Sequence, residues 1–149
     1  MIQRIQSVFL LLAAGALGSQ FAVPYLQTSD GNPARTLPAL ADGVLNPLDN
    51  PGLLGLTVLG AIVSLAAIFL FKNRSLQARL AGIGAGVGVL LLALATFTAK
   101  TTLDQAPADG SIQFSLGLAL PVAALILNWL AARAIRKDES LVRSMDRLR

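Results

Sequence analysis

The stretch Leu80-Ala81-Gly82-Ile83-Gly84-Ala85-Gly86-Val87-Gly88-Val89, continuing through Leu90-Leu91-Leu92-Ala93-Leu94-Ala95-Thr96-Phe97-Thr98-Ala99, carries no acidic, basic or imidazole side chain. About 20 residues at 1.5 Å each cover the roughly 30 Å hydrocarbon core of a bilayer, and a helix in a water-soluble core seldom runs so far without a charge. The stretch therefore predicts a membrane-crossing helix. Three further runs share its character: Ser7 to Leu26, Leu53 to Phe71 and Phe114 to Ala132. Together they predict an all-α polytopic membrane protein. Its expected form is an antiparallel four-helix transmembrane bundle over residues 1–132, with an amphipathic cytoplasmic helix at 133–149.

Composition agrees with this reading. The 149 residues are 54% hydrophobic and 13% charged, with mean hydropathy +0.66, too apolar for an ordinary water-soluble domain of this size. Ten of the twelve basic residues fall on one side of the expected spans: Arg4, then Lys72, Arg74 and Arg79, then Arg133, Arg136, Lys137, Arg143, Arg147 and Arg149. Arg35 and Lys100 fall on the other, beside Asp30, Asp42, Asp49, Asp104 and Asp109. By the positive-inside rule both termini are expected in the cytoplasm. The pI near 10.4 is then a consequence of topology. No nucleic-acid partner is expected, since no aromatic side chains interleave with the basic ones to stack on bases. The first run also has the outline of a secretory signal peptide, with Arg4 ahead of it and Ala14-Gly15-Ala16 as a cleavage site. Its apolar stretch continues to Tyr25 without a polar break, so it is expected to remain as a helix.

The longer connection, 27–52, contains Pro33, Pro38 and Pro47 amid Asp, Asn and Gly, and Pro51 follows Asn50 where an N-cap and a first-turn proline would open a helix. Leu37 to Leu45 keeps enough leucine to lie in the headgroup layer or over the helix ends. Residues 72–79 suffice only for a tight turn between neighbouring helices. The second outer connection, 100–113, has Asp109-Gly110 as its turn signal, with Ser111 to Phe114 briefly extended. Pro24 and Tyr25 read as a kink and an interfacial anchor, and Pro121 as a possible bend inside the last helix.

Small residues recur four apart in the spans: Gly82 with Gly86, Gly84 with Gly88, Gly15 with Ser19, Gly60 with Ser64. Such pairs let helix backbones approach closely, within one chain or across a dimer, and their presence on three helices favours packing within the chain. A dinucleotide fingerprint is excluded, because the motif would need a third glycine where Val87 or Val89 stands, and a preceding soluble strand. Hydroxyls at Ser19, Thr57, Ser64, Thr96, Thr98 and Ser115 can bond to a carbonyl one turn earlier. Gln20 and Asn128 cannot satisfy their amides so simply, and each is expected to reach another helix or the interface.

The chain has no cysteine and no histidine, which removes disulfides, thiolate chemistry and most zinc or copper sites. With no nucleophile beside a base and no paired carboxylates within the spans, neither catalysis nor a cofactor or metal is expected. What remains is the tail. Leu141, Met145 and Leu148 lie one or two turns apart, with Arg133, Arg136, Lys137, Arg143 and Arg147 around them. Such a helix suits anionic lipid headgroups or a cytoplasmic protein partner.

Both ends of the chain also carry a resemblance. Met1-Ile2-Gln3-Arg4-Ile5-Gln6-Ser7 and the closing Asn128-Trp129-Leu130-Ala131-Ala132-Arg133-Ala134-Ile135-Arg136-Lys137-Asp138-Glu139-Ser140-Leu141-Val142-Arg143-Ser144-Met145-Asp146-Arg147-Leu148-Arg149 resemble a family of small four-helix inner-membrane proteins of Bacteroidetes-type bacteria, catalogued as a domain of unknown function. The likeness covers essentially the full length, and its specific parts are the two ends. It implies location and helix number, and it carries no activity or catalytic residue with it.

Three functions are in play. The first is a non-catalytic accessory or assembly subunit of a larger inner-membrane complex, docking through small-residue faces and the basic tail. The second is a small channel or transporter whose path forms between protomers of a homo-oligomer, lined by hydroxyls and Gln20. An enzyme acting on lipid comes last, for want of a histidine, a carboxylate pair or a metal site.

Overall fold

A computed structural model describes the backbone of residues 2–146 and the side chains of residues 5–142. The chain is mostly helical: α1 (Ile2–Ser19), α2 (Pro51–Phe69), α3 (Arg74–Asp104) and α4 (Ala119–Asp146). Three two-residue strands, β1 (Leu26–Gln27), β2 (Val44–Leu45) and β3 (Gln113–Phe114), form a small antiparallel sheet in the order β2-β1-β3. Among the described residues, three helices are long and apolar enough to cross a membrane: α2, α3, and the segment Leu116–Val142 containing most of α4. α1 supplies a shorter apolar stretch, Ile5–Ser19.

The helices pack α1 on α2, α2 on α3, α3 on α4 and α4 on α1. Two apolar clusters fill the space among them. In one, Leu10 of α1 meets Ala67 of α2, Ala78 and Ala81 of α3, and Ala131, Ala132 and Ile135 of α4. In the other, Leu17, Leu53, Leu91, Ala95, Ala99 and Ala124 meet Tyr25, Leu26, Ala34, Leu40 and Leu45 from the turns and strands. Leu40 and Leu45 are fully buried there, so the leucines of the long connection pack over the helix ends.

Local chemistry explains most boundaries, and several differ from the sequence reading. α1 does not follow its apolar run to Leu26; it ends at Ser19. Pro24 disfavours helical backbone at Val23, and beyond it the chain finds partners in other segments. Tyr25 N donates to Leu45 O at 2.7 Å, Thr28 N to Gly43 O at 2.8 Å, and Ser115 N to Tyr25 O at 3.0 Å. Tyr25 is therefore fully buried at the sheet and is not an interfacial anchor. α2 starts at Pro51, with Asn50 Oδ1 accepting from Gly52 N at 2.8 Å.

α3 is longer than residues 80–99. Asn73 Oδ1 caps it by accepting from Leu76 N at 3.1 Å, so Arg74 and Arg79 lie in its first turns and the α2–α3 connection shrinks to 70–73. α4 opens at Ala119 after a 3₁₀ turn, Leu116–Leu118. Pro121 thus sits in the first turn, where the missing N–H costs nothing, and requires no bend. α4 then runs unbroken into the tail as far as Asp146.

Gly117 explains how the sheet meets α4. A Cβ there would overlap the Pro24 carbonyl oxygen, the group to which Gly117 N donates at 3.1 Å. Gly43 is at φ +89°, and the Arg35 guanidinium fills the place of its missing side chain.

Candidate functional site

Two kinds of polar feature emerge once the helices are packed: buried junctions that hold helices together, and open clefts bearing charge. The central junction joins three helices. Asn128 of α4 is fully buried and donates from Nδ2 to Ala124 O at 3.0 Å, leaving Oδ1 directed at α2. The Ser64 hydroxyl lies 2.8 Å from Gly60 O and 3.1 Å from Asn128 Oδ1, so one proton is shared between two acceptors. Gly84 of α3 makes room, since a Cβ there would stand 2.8 Å from Asn128 Oδ1. At the sheet, the Tyr25 hydroxyl donates to Gln20 Oε1, with both residues fully buried. Burial pushes the Tyr25 phenol up to about 12, and the neighbouring Thr57 hydroxyl pulls the other way by less.

The small residues divide into two groups. Gly84, Gly88 and Gly60 lie against neighbours: a Cβ on Gly88 would stand 3.0 Å from Leu125 Cβ, and one on Gly60 3.0 Å from Leu17 Cδ1. Ser19 bonds back to Ala16 O at 2.9 Å. Gly15 and Gly86 face open space, and Gly82 lies beneath Arg136, with 3.6 Å from a Cβ position to Nη2.

Gly82 belongs to a cleft of about 390 Å³ between α3 and α4, lined by Gly82, Ala85, Trp129, Ala132, Arg133 and Arg136. Spacing explains the wall: Trp129, Arg133 and Arg136 repeat at four and three residues on α4 and so share one face. The Arg133 guanidinium stands over the Trp129 ring, 5.5 Å from its centroid. Among the described residues neither Arg133 nor Arg136 meets a carboxylate, whereas nearby Arg74 pairs with Asp138 at 3.3 Å. A smaller depression beside Ala134, Lys137, Asp138 and Leu141 takes in two more of the tail residues singled out above.

The side chains of Arg4, Arg143 and Met145 and the whole of Arg147 and Leu148 lie outside the described residues. A polar depression of about 320 Å³ at the sheet, lined in part by Gln27, Arg35, Asp42 and Gln113, also holds a cation. Its arginine is already committed, to Asp30 at 2.6 Å. In the α3–α4 cleft, by contrast, neither guanidinium meets a described carboxylate.

A family model described as Domain of unknown function (DUF4293) matches residues 2–148. The chain belongs to this family. The match spans nearly the whole chain, so the helices, the sheet and the cleft all lie within one DUF4293 domain. No curated protein and no solved structure matches the DUF4293 chain. Sequence reasoning had singled out Arg133, Arg136 and Gly82 separately. It missed that they meet, and the only available signal was the shared helical face of Trp129, Arg133 and Arg136.

Proposed function

We propose that this protein is a multi-pass protein of the bacterial inner membrane, an antiparallel four-helix bundle with both termini cytoplasmic. We infer further that it acts as a non-catalytic accessory or assembly subunit of a larger membrane complex. The observation that carries the reading is the outward direction of large apolar side chains on all four helices. Leu11, Ile62, Phe97 and Ile126 are 58%, 57%, 64% and 46% exposed, while the interior is filled by buried leucines and alanines. An apolar girdle of that kind needs lipid or protein against it.

The basic residues at the α2–α3 turn and along α4 support a cytoplasmic placement of that end. Between the two functions, the channel reading needs polar groups facing a neighbouring copy. Gln20, which it would use, is fully buried against Tyr25, and Thr96 turns its hydroxyl back to Leu92 O at 2.7 Å. An accessory subunit needs only an outward face and a charged end, and both are on the molecule.

Purification of the tagged protein from its own membranes in mild detergent, with mass spectrometry of what accompanies it, tests this reading. A stoichiometric protein partner is the expected result. A clean homo-oligomer with no partner would overturn the subunit reading in favour of flux measurements.

A further inference from the structure

We propose that the cleft between α3 and α4 seats one anionic phospholipid, its phosphate held by Arg133 and Arg136 and its acyl chain lying over Gly82, Ala85 and Gly86. This rests on the membrane location proposed above and goes beyond it, from general attraction to lipid to an occupied site.

Charge selects the occupant. Two exposed arginines one turn apart line the cleft, Arg133 over Trp129 and Arg136 over Gly82, and no described carboxylate neutralises either. Guanidinium forks match phosphate oxygens in geometry as well as sign. Arg74, in the first turn of α3, is held by Asp138.

Shape selects the lipid over a soluble anion. The floor is made of Gly82 and Ala85, and Ala132 completes the small-residue lining. One turn on from Gly82, Gly86 meets nothing within 4 Å of a Cβ position, so the shallow track continues away from the arginines. Its flanks are apolar there: Val89 is 54% and Ile126 46% exposed. A cleft that is cationic at one end and apolar along the rest follows the order of groups in a phospholipid. Trp129, 52% exposed beside the arginines, has the amphipathic ring that favours the boundary between headgroup and chain.

The test is native mass spectrometry of the full chain in mild detergent with phosphatidylglycerol, and separately with phosphatidylethanolamine of the same chains. The expected result is one phosphatidylglycerol retained per chain, in preference to phosphatidylethanolamine. Retention should fall at least about tenfold in the double variant R133Q/R136Q. It should also fall in Ala85→Leu and Gly86→Leu, which fill the track without changing charge. Lys100→Gln, distant from the cleft, should retain lipid as the parent does. Circular dichroism checks that each variant keeps its helix content.

Equal retention of the two lipids, or full retention in R133Q/R136Q, overturns the site. Loss in the arginine variant with full retention in both leucine variants also overturns it, leaving diffuse surface attraction. Displacement of the lipid by inorganic phosphate alone would assign the arginines to a soluble anion. An alkaline carbonate wash of native membranes separates the two claims. Release of the chain there overturns the membrane reading and the site with it, whereas retention without lipid preference overturns the site alone.

Discussion

Ser64 of α2 and Asn128 of α4 meet through a hydroxyl–amide hydrogen bond of 3.1 Å, at a point where Gly84 of α3 leaves space for the amide. Interhelical hydrogen bonds of this kind average about 0.6 kcal/mol in membranes, so Ser64→Ala should lower stability in detergent by roughly that amount. Gly84→Ala should cost more, about 1–2 kcal/mol, because its Cβ displaces the Asn128 amide from Ser64. Once the bond is lost, Ser64 has less to lose. The double variant should therefore be less destabilised than the two single effects summed, as thermal unfolding in one detergent would record.

Gly88 and Gly86 sit half a turn apart and should respond oppositely. A methyl at Gly88 would press on Leu125 Cβ at 3.0 Å and its Cα at 3.2 Å, atoms that cannot rotate away, so Gly88→Ala should cost about 1–3 kcal/mol by parting α3 from α4. Gly86→Ala meets nothing and gains helix propensity of up to about 1 kcal/mol. The same unfolding measurement checks both. Equal effects at the two positions would contradict the packing described.

Tyr25 is the chain's single tyrosine, so ultraviolet absorbance of its phenolate reports one group. It lies beyond the end of α1, buried at the sheet, and should ionise at about 12 in the folded protein. Its value in the unfolded chain is about 10. Below about pH 10 both states are protonated and stability does not depend on this group; between about 10 and 12 only the unfolded state releases the proton, so stability falls as pH rises. Tyr25→Phe should abolish that alkaline slope. An absorbance midpoint near 10 in the folded protein would show the phenol to be solvated.

The absence of native cysteine makes topology directly measurable. Single substitutions Ser29→Cys and Asp109→Cys, at exposed positions in the two outer connections, should react with a membrane-impermeant maleimide in cells with an intact inner membrane. Lys72→Cys, exposed at the α2–α3 turn, should react only after that membrane is opened. The reverse pattern would invert the proposed orientation.

Much of the candidate cleft was visible in the sequence only as fragments. Arg133 and Arg136 stand out from charge, Trp129 from its amphipathic ring, and Gly82 from the four-residue glycine spacing. That Gly82 lies beneath Arg136 depends on how far α3 is shifted along α4. Gly88 against Leu125 and Gly84 against Asn128 accompany that alignment. Identical spacing along the chain offers no means of separating Gly84 and Gly88, which touch neighbours, from Gly86, which does not.

The sequence by itself determined that the chain would carry long charge-free helices, where α2 would start, and where basic charge would gather. These are properties of composition over about 20 residues, or of a cap and a proline side by side, and they need no distant partner. Only the tertiary structure decided that α1 ends at Ser19, that Tyr25 is buried, and that a small sheet joins the two outer connections. Each of those outcomes turns on groups far apart in the chain. Thr28 Oγ1, for instance, donates to Ser111 O at 2.9 Å, and Leu26 pairs with both Leu45 and Phe114. An apolar run such as 7–26 looks the same whether its last residues continue a helix or pair with other segments, because hydrophobicity fixes burial and leaves the hydrogen-bond partner to the fold.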